Sequence, residues 1–221
     1  MTVAGELVRR GHLVRSVRLA PFVPGLTAVV VLLVARRGGT DDVLGDLRTL
    51  GLLLALGGGY VLDDGAAVTL QASPYGLARR LGLRIGAALA ILAPLWTLML
   101  IRLLPSAPIT ERWALGLGLS VELAAALAVL WAVAAWARRG GVEHPGIITT
   151  PVLLALLLMA APISRAPMLV GPGPQWTSAH VRWSIILVGG ACALAAAMRD
   201  PAARWRSTDY RPSQERPRVR R

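Results

Sequence analysis

The chain has 221 residues and not one lysine; all 24 basic residues are arginines. A GC-rich coding sequence gives that composition without selection on chemistry. Only 16% of residues are charged, against roughly a quarter in a soluble domain, which argues against a water-soluble globule. The single cysteine, Cys192, excludes a disulfide within the chain. The three histidines, His12, His144 and His180, are far apart, with no metal-ligand spacing. No P-loop, G-x-S-x-G or H-E-x-x-H pattern occurs. The chain is therefore expected to hold no catalytic machinery, no cofactor and no metal.

What it does have is apolar residues, 55% of the total. Many stand in runs near the ~20 residues that cross a bilayer. The reading is an all-α polytopic membrane protein forming one bundle of six spans over residues 19–198. The spans are 19–35, 47–62, 85–104, 113–137, 147–162 and 181–198. Pro21 and Pro24 open the first, where missing amide donors cost least. A turn with three arginines and three aspartates, RRGGTDDVLGDLR, separates the first two. Gly57, Gly58 and Gly59 in the second permit close helix packing and also weaken a helix. Pro94 is expected to kink the third. Trp113, Trp131 and Trp136 fall near the ends of the fourth, as interfacial aromatics do. Residues 162–180, broken by four prolines, read as a partly re-entrant outer segment.

The net charge of +12 could suggest nucleic acid, but position argues otherwise. Eight of the 24 arginines lie at or beyond Arg199, and most others flank apolar runs. That is the positive-inside pattern. It places both termini in the cytosol and the chain in the inner (plasma) membrane. Residues 1–18 read as an amphipathic helix in the headgroup layer. There Leu7, Val8, Leu13, Val14 and Val17 share part of a face, with Arg9, Arg10, Arg15 and Arg18 elsewhere. A cleaved signal peptide fits less well, because Val34-Ala35-Arg36 is a poor cleavage site. Residues 199–221 read as a disordered basic tail against anionic lipid.

The same topology puts residues 62–84, LDDGAAVTLQASPYGLARRLGLR, in the cytosol. Asp63 and Asp64 can cap or open a short helix. Ser73-Pro74 breaks it. Arg79, Arg80 and Arg84 then anchor the next span. Such a helix would lie across two span ends and offer Val68, Leu70, Gln71 and Tyr75 to a partner. A plain polar loop that satisfies topology is the alternative.

Six spans, an interfacial N-terminal segment and this stretch resemble the permease subunit of type-2 ABC exporters. In that family the segment after the second span often runs acid, Gly, polar-Leu pair, Pro, basic residue. Asp64, Gly65, Thr69-Leu70, Pro74 and Arg79/Arg80 stand at those positions here. Ala66-Ala67-Val68 separates the glycine from the polar-Leu pair more widely than in many relatives. The broken segment 162–180 also matches the family's outer segment. As sequence, the likeness covers about 20 residues. It implies a separate ABC ATPase subunit as partner and a second permease copy or homologue. It also implies an ATPase-coupling role for Asp63, Asp64, Thr69, Leu70, Pro74, Tyr75, Arg79 and Arg80.

Glu122 lies nine residues into the fourth span. A carboxylate at membrane depth is costly and faces protein or water. It is a candidate for binding a cationic substrate or a proton. Alternatively it pairs with Arg102 or Arg112, or is protonated and hydrogen-bonded. Three functions follow: an ATP-driven exporter permease, a secondary transporter with Glu122 as coupling site, or a membrane scaffold. No clear internal repeat supports the second.

Overall fold

The computed structural model describes residues 27, 30–31, 43–63, 77–152 and 169–199. The interfacial segment 1–18, most of the first span and the tail beyond Arg199 lie outside them. So do residues 64–76, the interior of the fifth span and residues 162–168.

Among the described residues the chain is helical, with no strand. The long elements are α1 (Val43–Gly59), α2 (Leu77–Leu103), α3 (Arg112–Arg139) and α4 (Trp176–Met198). A 3₁₀ turn, Tyr60–Leu62, extends α1. Residues 145–152 are also helical. Among the described residues, three helices are long and apolar enough to cross a membrane: Ala78–Ser106, Arg112–Arg139 and Trp176–Met198. The third of the expected spans continues through Pro94 as one helix.

α3 is the most buried of these three, and its broadest packing is against α4. Lipid tails are as apolar as leucine, so close backbone approach and polar links hold such helices together. At Gly190 an added Cβ would lie 3.1 Å from the backbone of Ala128. A side chain there would have to push that backbone aside, so glycine lets α3 and α4 approach backbone to backbone.

Tryptophans supply the polar links. Trp131 Nε1 donates to the Gly58 carbonyl, 2.8 Å. That oxygen lies in the last turn of α1, where carbonyls lack a helical partner. Trp96 Nε1 donates to Ser120 Oγ, joining α2 to α3, and Trp136 Nε1 donates to the Ala193 carbonyl, joining α3 to α4. Trp113 is exposed and Trp136 half-exposed, as interfacial residues would be. Trp131 is buried in the core instead, because Gly58 supplies an acceptor there.

These contacts also set direction. Arg48 meets Glu122, Gly58 meets Trp131, and Leu62 meets Arg138. Thus α1 runs parallel to α3. The pairs Trp136–Ala193 and Arg139–Ala196 give the same sense for α4. Arg84 meets Asp63 while Trp96 faces Gly51, so α2 runs the opposite way.

Candidate functional site

Two polar clusters stand at opposite ends of the bundle. The first is built on Glu122, at the end of the third turn of α3. Arg48 grips its carboxylate with two bonds, Nε to Oε2 at 2.9 Å and Nη2 to Oε1 at 2.7 Å. Such bidentate pairs are among the stronger charge-assisted contacts. Arg48 Nη2 also donates to the Val170 carbonyl, 2.8 Å. The imidazole of His180 completes the group, with Nε2 3.2 Å from Glu122 Oε1. That is an ion-pair distance, though the alignment falls short of a directed hydrogen bond. His180 Nδ1 lies 2.8 Å from the Trp176 carbonyl one turn earlier. The Trp176 ring packs on the imidazole, centroids 4.0 Å apart.

Local sequence explains each position. The imidazole fits between α3 and α4 because residue 118 is glycine. A Cβ there would lie 2.5 Å from both His180 Nε2 and the Trp176 ring. Arg48 reaches Glu122 because α1 begins at Val43, so Arg48 stands in its second turn. The leucines at 47, 50 and 54, spaced like one face of a helix, are buried and fix how α1 is turned.

Glu122 thus pairs with neither Arg102 nor Arg112. Arg102 is exposed on α2. Arg112 donates to the Ala107 and Pro105 carbonyls, closing the turn before α3. Sequence reading placed Arg48 in the turn before the second span and gave His180 no role. A start for the second span a turn earlier, at Val43, was the signal that could have found Arg48. The i, i+4 pair Trp176 and His180 was a weaker one.

The second cluster closes the other end. Asp63 Oδ1 accepts the Gly146 amide, 2.6 Å, capping the helix that opens at Pro145. Proline suits that first position because its missing N–H has no helical partner to lose. Arg138 Nη1 donates to the Leu62 carbonyl, and Arg84 Nη1 donates to the Asp63 carbonyl, 3.2 Å. Burial pushes the Asp63 carboxyl above the ordinary carboxylate range. The Gly146 amide, His144, Arg138 and the Ile147 amide oppose that rise, in that order. Arg79 is exposed and Arg80 half-buried in the first turn of α2, and each has contacts of its own. Asp64, Thr69, Leu70, Pro74 and Tyr75 lie outside the described residues.

Among the described residues no group of three His, Cys, Asp or Glu side chains is arranged to hold a metal. No protein-family model, curated protein or solved structure matches the chain.

Proposed function

We propose that the chain is a transmembrane permease subunit, moved by a separate ATPase that docks on the short helix expected around residues 66–73 of the segment 62–84. The observation that carries this reading is how the segment's flanks are fastened. The carbonyls of Leu62 and Asp63 are held by Arg138 and Arg84, and the Asp63 carboxylate caps the helix at 145–152. A force on the segment therefore reaches α1, α2, α3 and the following helix together. A loop that only met topology would need no such fastening. Rigid elements displaced as units are how a docked motor changes access across a bundle.

On this reading the chain has six spans, lies in the inner membrane, and has the Asp63 end in the cytosol. A second permease copy completes the pathway. A lipophilic or amphipathic cargo suits the scarcity of charge.

The test is copurification in mild detergent. Leu70→Asp with Tyr75→Asp should abolish pull-down of a P-loop ATPase while membrane insertion persists. Undiminished pull-down and transport in that variant would refute the docking role.

A further inference from the structure

The residues that lead into α4, from Leu169 to Gln175, are not helical, and all but one are exposed. Val170 is the exception, half-buried against the core. Its carbonyl accepts Arg48 Nη2 at 2.8 Å. Gly171 lies beside Leu44, whose Cδ2 would be 3.8 Å from an added Cβ. At the far end the Trp176 amide donates to the Gly173 carbonyl, 3.0 Å, which ties the stretch to the start of α4. Pro172 and Pro174 hold φ fixed and stiffen what lies between. The stretch is thus a short stiff piece, hung from α4 and fastened to α1 at Val170.

That fastening shares an atom with the ion pair. Nη2 of Arg48 donates to Glu122 Oε1 and to the Val170 carbonyl. The two bonds differ in what their loss would strand. Side-chain exposure is 14% for Arg48 and 9% for Glu122, so parting them leaves buried charge without its partner, which is costly. The grip on the carboxylate is also bidentate, the stronger geometry. Parting Arg48 from Val170 strands no charge. It frees a backbone carbonyl whose neighbours on both sides are exposed, so water can take the place of the guanidinium. The carbonyl bond is the weaker fastening, and the ion pair outlasts it.

We propose that residues 169–175 form a strap over the Glu122 end of the bundle, latched at Val170 by Arg48, and that the strap lifts while Arg48 stays on Glu122. Arg48 is then a positioning residue with two tasks. It joins α1 to α3, and it holds the strap down on both. Lifting the strap opens this end of the bundle and leaves the approach of α3 and α4 at Gly190 intact.

The experiment uses the isolated full chain in nanodiscs, without ATPase or ATP, so its failure is distinct from a failure of the docking proposal. Spin labels on Leu169→Cys and Leu117→Cys, both exposed, report the strap against α3, with Cys192 changed to Ala. Labels on Cys192 and Val133→Cys, also exposed, report α4 against α3. The wild type should give a mainly short strap separation. Arg48→Lys keeps a charge opposite Glu122 but lacks the fork that reaches Val170 as well. It should shift the strap to a longer separation and leave the α3–α4 separation unchanged. Leu44→Ala removes the side chain beside Gly171 and leaves the ion pair in place. It should add the same longer population in smaller amount, and it decides the matter if Arg48→Lys does not fold. A strap separation that stays short in the variants would overturn the proposal. So would lengthening of both label pairs alike, which would make Arg48 a packing residue for the whole bundle.

Discussion

Arg48 makes three hydrogen bonds, two to Glu122 and one to Val170, and its removal has a calculable consequence. Taking away one member of a buried ion pair strands the other, typically at about 3–5 kcal/mol. Arg48→Met should cost about that much in equilibrium unfolding from mixed micelles. Arg48→Met with Glu122→Gln should cost less than the two single changes added, because neither partner is then left charged and alone. Equal additivity would mean the pair contributes nothing. At the other end, burial makes the folded protein hold the Asp63 proton more tightly than the unfolded chain does. The stability from this carboxyl is therefore full in acid. It is lost as pH rises from the ordinary carboxylate range through the raised value. Asp63→Asn should flatten that slope while keeping an acceptor for the Gly146 amide. Asp63→Ala should lose the cap, about 1 kcal/mol. A thermal-shift series between acid and neutral pH separates the two. Glu122 was legible as a buried intramembrane acid because its neighbours are apolar along the chain. Its partners were not, because they come from helices 74 and 58 residues away, and depth in a membrane leaves no mark in local spacing.

Among the elements, α3 and α4 depend on two glycines for their approach. Gly118→Val places carbon where Trp176 and His180 already stand, so it should cost roughly 1–3 kcal/mol. It should also lengthen the distance between spin labels placed on Cys192 of α4 and on Val133→Cys of α3, both exposed. An unchanged separation would show that the ring can move aside. The long helices α2, α3 and α4 were legible as apolar runs bounded by arginines or broken turns. Their register was not. Backbone-to-backbone contact at Gly190 and Ala128 needs small residues in both helices, and this chain is rich in glycine and alanine throughout. Trp131 was misread for a related reason. Tryptophan near a span end suits the interface or a buried acceptor equally well, and the Gly58 carbonyl decides it.

For the whole molecule, the proposed docking of an ATPase and the transmission of its motion can be tested separately. Arg138 touches the Leu62 carbonyl but belongs to α3, outside the proposed docking segment. Arg138→Ala should retain pull-down of the ATPase yet lose substrate-stimulated ATP hydrolysis, by roughly tenfold if the link is worth about 1.4 kcal/mol. Loss of pull-down as well would place docking and fastening in one structure. The membrane class followed from composition alone. The fastening did not, since it depends on Asp63 meeting an amide 83 residues away.

One helix takes part in both clusters. α1 presents Arg48 near its start, and the 3₁₀ turn that extends it ends in the carbonyls that Arg138 and Arg84 hold. From residue 48 to residue 62 the axis covers roughly 21 Å at 1.5 Å per residue. A stiff strut of that length cannot slide at one end alone. Drawing it toward the Asp63 side would strip the guanidinium from Glu122 and Val170 at once, whereas loosening that grip first would let the strut travel. The two clusters are therefore joined through one rigid element, so a displacement imposed at either end is felt at the other.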